Sequence, residues 1–163
     1  MMRAISTLGP VGHMRPAPGT WGSLAALPLA WVAMLGGPWV FVAATLAVVA
    51  VGFPAARAEV AASGAHDPSQ VVIDEVAGQW IALWPVAFGA WAVGMPVLAL
   101  WPGWIGAFVL FRLFDVWKPG PVGWADRRGD VTGLMLDDVI AGVLAGGGVV
   151  ILGGAAHGLM RAL

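Results

Sequence analysis

Cysteine is absent from this 163-residue chain, which excludes a disulfide scaffold, a thiolate nucleophile and a cysteine-ligated zinc. Charge is nearly as scarce: charged side chains make up 10% of the residues and the net charge is −1. So few cations, scattered along the chain, form no basic stripe, and nucleic acid is not an expected partner. An export signal is also not expected. The short run after Arg3 is broken at Gly9, Pro10 and Gly12 and then meets Arg15, whereas a secretory leader needs a continuous apolar centre. The chain is expected to begin, when mature, near Met1.

What is present is apolar: 60% of residues are hydrophobic and the mean hydropathy is +0.85. That composition belongs to integral membrane proteins. No charged side chain lies between Arg15 and Arg57 or between Glu75 and Arg112, and only His157 interrupts the run from Asp138 to Arg161. The first block is cut at Gly36, Gly37 and Pro38, and the second at Gly94, Pro96, Pro102 and Gly103. Such breaks suit the tips of helical hairpins. The expected fold is therefore all-α: a single-domain polytopic membrane bundle over residues 1–163, with about five short spans as two hairpins and a C-terminal helix. The halves of the first block are near the lower length limit for a span, so re-entrant hairpins stay open as an alternative. In the last span Gly142 and Gly146 have the spacing that lets helices approach closely. A homo-oligomer is compatible with this sequence.

Polar residues gather in three places. Phe111 to Val139 holds Asp115, Asp126, Asp137 and Asp138 among Arg112, Lys118, Arg127 and Arg128, with Pro119 and Pro121 interrupting any continuous helix. Arg57 to Ala77 is expected to be a second polar connector, ending in Asp74 and Glu75 in the first turn of the next helix, with His66 and Asp67 just upstream. The Gly- and Pro-rich segment before Ser23 is expected to be a loop whose Pro18, Gly19, Thr20 and Gly22 turn amides outward at a helix N-terminus, with Thr20 or Ser23 as caps. Plain capping, and connector ion pairs of little energetic value, are the competing readings. Five spans would bring all three polar segments to one side. All lysines and arginines except Arg161 lie in them, which makes that side cytoplasmic.

Acids crowded at one interface repel unless a cation joins them. A cysteine-free, all-oxygen set matches Mg²⁺ or Mn²⁺ better than zinc, and such an ion clamps phosphate and activates water. The implied substrate is a phosphate-bearing molecule in the bilayer. The motifs Arg15-Pro-Ala-Pro-Gly-Thr-Trp-Gly-Ser-Leu24, His66-Asp-Pro68, Val72-Ile-Asp-Glu-Val76 with Gly78, Phe111-Arg-Leu-Phe-Asp-Val-Trp-Lys-Pro119, Trp124-Ala-Asp-Arg127 and Gly133-Leu-Met-Leu-Asp-Asp138 resemble those of the phosphatidylglycerophosphatase A family almost end to end. The resemblance implies Mg²⁺-dependent hydrolysis of phosphatidylglycerophosphate at the bacterial inner membrane.

The expected metal ligands are Asp74, Glu75, Asp137 and Asp138. The expected catalytic set is Arg112, Asp115, Lys118, Asp126, Arg127 and His66. Arg112 or Arg127 with Lys118 would grip the phosphoryl group while Asp115 orients one of them or acts as base. Substrate contacts are expected at Arg15, Pro18, Gly19, Thr20 and Ser23. Other routes lack their signatures: there is no Asp-x-Asp pair, and Ser63-Gly-Ala-His66 has no companion Ser-Arg. Gly133-x-x-x-Asp137 is followed by Ala141 where a cytidine-diphosphate-alcohol phosphotransferase needs an acid. A transporter would need charge within the spans, and the acids only flank them.

Overall fold

The structure, a computed structural model, describes residues 1–65 and 68–162. Among them there is no strand. A short helix α1 (Met2–Ser6) and one 3₁₀ turn (Val11–His13) lead to α2 (Pro18–Met34). The chain reverses at Gly36 and Gly37, where Gly37 takes φ 90°, and α3 (Pro38–Ser63) returns. This is the first expected hairpin, tipped at the expected residues.

The second hairpin has a bent inbound leg, α4 (Ile73–Ala82) and α5 (Trp84–Ala92), and an outbound leg, α6 (Trp101–Trp117). The bend falls at Pro85, in the first turn of α5, where proline has no N–H to give and its ring disfavours a continuous helix. The tip runs through Gly94, at φ 65°, and Pro96 into a 3₁₀ turn before α6. A six-residue helix, α7 (Pro121–Asp126), precedes the long α8 (Val131–Ala162).

Among the described residues, three stretches are long and apolar enough to cross a membrane: Pro38–Ser63, Val97–Trp117 and Val131–Leu159. Helix α2 has 17 residues, or about 25 Å at the α-helical rise, somewhat less than a hydrocarbon core of roughly 30 Å.

Helix α4 is the axis of the bundle. Every residue from Ile73 to Ala82 except Glu75 is buried, as befits a helix enclosed on all sides. Its closest partner is α8. A Cβ on Gly142 would run into the backbone of Gly78, and one on Gly78 would lie 2.5 Å from the carbonyl oxygen of Asp138. Glycine at both positions lets the two backbones touch. That contact brings the acids of α4 beside those of α8.

Two boundaries differ from expectation. Helix α3 continues to Ser63 and stops at Gly64, φ 70°, so Arg57 and Glu59 are helical and not in a connector. The segment is alanine-rich, and Ala, Arg and Glu all favour helix; leaving the bilayer does not end a helix. Helix α8 likewise starts at Val131, inside the polar segment Phe111 to Val139, which puts Asp137 and Asp138 in its second turn. The N-terminal position belongs to Asp130, whose Oδ1 accepts from the Gly133 N–H at 2.6 Å, a side-chain cap.

The chain's beginning is also more ordered than a plain loop. Arg3 donates from Nε to Glu59 Oε2 at 2.8 Å, Gln70 Nε2 donates to Glu59 Oε1 at 3.0 Å, and the Val72 N–H donates to the Ser6 carbonyl at 2.8 Å. These bonds fasten the N-terminal segment to residues 70–72, immediately before Asp74.

Candidate active site

A cavity of about 270 Å³ opens at the end of the bundle where α2 begins, α6 ends and α4 and α8 start. Each wall has a distinct chemistry. Asp74 and Glu75 come from the first turn of α4, Asp137 and Asp138 from the second turn of α8, and Arg112, Asp115 and Lys118 from the last turns of α6 and its C-cap. Pro18 and Gly19 close one side, and Asp126 and Asp130 line another.

The acids do not all play one part. Asp74, Glu75 and Asp138 each offer an oxygen, and these lie within 4.8 Å of one another. Asp138 is 3% exposed, yet its Oδ1 has no hydrogen-bond partner, and neither does Glu75 Oε2. Buried carboxylate oxygens without donors are costly. Three carboxylates with two bare oxygens therefore fit a divalent cation by donor type and spacing. Asp137 is engaged elsewhere: Oδ2 accepts from Lys118 Nζ at 2.9 Å and Oδ1 from the Asp138 N–H at 2.9 Å.

The cations are held by the remaining acids. Arg112 pairs with Asp115 one turn on along α6, at 2.5 Å, and its Nη1 also donates to Ser23 Oγ at 3.4 Å. Lys118 ends α6 in the left-handed region, φ 50°, and bridges Asp126 and Asp137. Burial works against its charge, but the hydrogen bonds to both acids more than offset this and hold the ammonium above the ordinary lysine range. Asp130 is shifted down by its hydrogen bond from Arg128 and by the Gly133 N–H.

Gly19 seats α2 against this cluster, since a Cβ there would collide with Glu75 Oε1 and lie 3.2 Å from Arg112 Nη1. The cap of α2 is Ala17, without a side-chain bond, so neither Thr20 nor Ser23 caps it as expected. The Ser23 hydroxyl is buried and donates back to the Gly19 carbonyl at 2.8 Å. It supports Arg112 from behind. Thr20 is half-buried beside Gly19 and does not line the cavity; Arg15 and Arg127 are exposed and also lie outside the lining. His66 falls outside the described residues.

Asp130 lines the cavity without belonging to the expected set, although an Asp directly ahead of a helical run is a recognisable cap. Ten of the expected residues do meet at the cavity: Pro18, Gly19, Asp74, Glu75, Arg112, Asp115, Lys118, Asp126, Asp137 and Asp138.

With this geometry in hand, the likeness to known proteins is specific. The family model described as phosphatidylglycerophosphatase A matches residues 4–153. The chain belongs to the phosphatidylglycerophosphatase A family. It is 35% identical over 140 residues to phosphatidylglycerophosphatase A of Escherichia coli K12, covering 83% of this chain and 74% of that one. The Haemophilus influenzae phosphatidylglycerophosphatase A is 34% identical over 155 residues, 88% of this chain and 89% of that one. A Bacteroides thetaiotaomicron protein, provisionally named a phosphatidylinositol-3-phosphatase, is 34% identical over 134 residues, 78% of this chain and 77% of that one. No solved structure matches the chain. Phosphatidylglycerophosphatase A proteins are phosphoric monoester hydrolases, so this membrane protein is a lipid phosphatase.

Proposed function

We propose that this protein removes the terminal phosphate of phosphatidylglycerophosphate, releasing phosphatidylglycerol and inorganic phosphate, in a Mg²⁺-dependent reaction at the cytoplasmic face of the inner membrane. The observation that carries the reading is the meeting of Asp74, Glu75 and Asp138, two of them with bare buried oxygens, in one cavity with Arg112 and Lys118. The cytoplasmic assignment rests on the positive-inside distribution of arginine and lysine.

When bound by those three carboxylates, Mg²⁺ would supply charge neutralisation and a water of lowered pKa. The rest is the work of side chains. Arg112, aimed by Asp115 and Ser23, and Lys118, fixed by Asp126 and Asp137, present positive charge to the phosphoryl oxygens as negative charge grows on them. The Gly19 and Thr20 amides of α2 face the same end of the bundle, and Pro18 leaves no competing N–H. In the reaction a water oxygen bonds to phosphorus and gives up a proton, the bond to the glycerol oxygen breaks, and the departing oxygen takes up that proton. A monoester fits this cation set better than a diester because it carries an extra charge and an extra pair of acceptor positions.

The headgroup is tested directly by phosphate release from phosphatidylglycerophosphate and phosphatidylinositol 3-phosphate, presented at equal surface concentration in mixed micelles with Mg²⁺. A clear preference in kcat/KM for phosphatidylglycerophosphate is expected. Preference for the inositol lipid, or release from neither, contradicts the proposal.

A further inference from the structure

Four buried side-chain atoms without a hydrogen-bond partner are found among the described residues: Glu75 Oε2, Asp138 Oδ1, and both Nε2 and Oε1 of Gln79. Two belong to the carboxylate cluster already described. The other two make up the whole amide of a side chain that is 0% exposed. Gln79 is four residues beyond Glu75 in α4 and so shares its face one turn deeper. Cα–Cβ bonds in a helix tilt toward the N-terminus, and long side chains cover the turn ahead of their own. The Gln79 amide therefore leans back toward the turn carrying Glu75. Its neighbour Gly78 is the point where α8 presses in with the Asp138 backbone. The three residues with unpartnered atoms thus form one layer at the crossing of α4 and α8.

Their chemistry is complementary. Two carboxylate oxygens need donors, and an amide has two N–H groups and one acceptor to offer. A water enclosed among polar groups needs two to four such partners, and this layer has four. We propose that Gln79 is a positioning residue for the cation site: through its amide and an enclosed water it fills one acceptor position on each of the bare oxygens of Glu75 and Asp138, leaving the other position of each turned toward the cation. The inference rests on the cation reading above. Outer partners of metal ligands set affinity by fixing ligand orientation, and their loss costs about 10–100-fold.

The test uses full-length purified protein and Mn²⁺ as the probe, with free ion followed by electron paramagnetic resonance. Gln79→Leu is expected to raise the Mn²⁺ dissociation constant at least about tenfold with thermal stability unchanged or improved, since the change also removes a buried polar group. At saturating metal, kcat should stay within a few-fold of wild type. A buried amide with only a packing role would give the opposite pattern: a lower unfolding temperature with unchanged Mn²⁺ affinity. That result overturns the inference. Should Gln79→Leu not fold, Gln79→Met keeps the side-chain length without the amide and is read the same way. Wild-type protein that releases phosphate yet binds no Mn²⁺ would instead refute the cation reading and this inference with it. Wild-type binding that is lost in Glu75→Gln and unchanged in Gln79→Leu refutes only the role of Gln79.

Discussion

Gly19→Ala separates function from stability at a single methyl group. Gly19 sits in the first turn of α2 with ordinary helical backbone, and alanine there favours the helix by up to about 1 kcal/mol. Against this, the new Cβ collides with Glu75 Oε1 and comes within 3.2 Å of Arg112 Nη1. Glu75 Oε1 is the end of a flexible side chain, so the clash is relieved by rotating the carboxylate at about 0.5–1.5 kcal/mol. The two terms nearly cancel, and net stability is expected to change by less than about 1 kcal/mol. Function has no such compensation. The rotated carboxylate leaves the constellation it forms with Asp74 and Asp138, and a displacement of about 1 Å in a catalytic group costs about 100-fold in rate, equivalent to about 2.7 kcal/mol. Phosphate release in micelles should fall by that order while the thermal midpoint barely moves, and the Mg²⁺ concentration for half-maximal rate should rise. Wild-type turnover and an unchanged Mg²⁺ requirement in Gly19→Ala would show that Glu75 has no part in the chemistry.

Other expectations follow from the same geometry. Arg112→Gln should lower kcat at least about 100-fold with the fold intact, because a phosphate-gripping group acts most on the transition state; Arg127→Gln, at an exposed position outside the cavity, should stay within a few-fold of wild type, and equal losses in both would refute the distinction. Lys118→Met removes the bridge between Asp126 and Asp137 and should cost turnover more than Lys118→Arg does, as steady-state kinetics of both variants will decide. The raised pKa of Lys118 keeps it charged below its unfolded value of about 10.4, and its stabilising contribution is lost only as pH rises through the still higher folded value. An unfolding midpoint measured from about pH 6 to 9 should therefore show no loss that Lys118→Met abolishes. The natural absence of cysteine allows single cysteines at Ser69 and Gly129 to be labelled cleanly; both should react from the same side of the membrane, and labelling from opposite sides rules out the shared face.

Glycine and proline made the hairpins legible. Gly36 to Pro38 and Gly94 to Pro96 interrupt apolar runs where a helix cannot continue comfortably, and the chain reverses at both. The acid pair Asp74-Glu75 reads as part of the first helical turn because the apolar run begins directly after it, and the parity of two hairpins brings the polar segments together. Helix ends near the membrane surface were not legible. Charged and small residues such as those around Arg57 continue a helix as readily as apolar ones, so α3 runs to Ser63; the cap at Asp130 likewise starts α8 earlier and carries Asp137 and Asp138 into its second turn. Roles that depend on distant partners were hidden as well. The burial of Glu59 makes sense only beside Arg3, 56 residues away, and the division between Asp138, with a bare oxygen, and Asp137, tied to Lys118, depends on the rotation of α8. Gln79 reads in sequence as one polar residue in an apolar run, and its complete burial with an unpartnered amide emerges only in the folded bundle.

On the proposed reading, three carboxylates on two helices make this lipid phosphatase depend on a divalent cation. The most direct measurement is phosphate release from phosphatidylglycerophosphate by chelator-stripped protein as Mg²⁺ is added back, for wild type and Asp138→Asn. No turnover is expected in excess chelator, with saturable recovery for wild type and little recovery for Asp138→Asn despite an intact fold. Full activity in chelator, or recovery of Asp138→Asn along the wild-type curve, would contradict it.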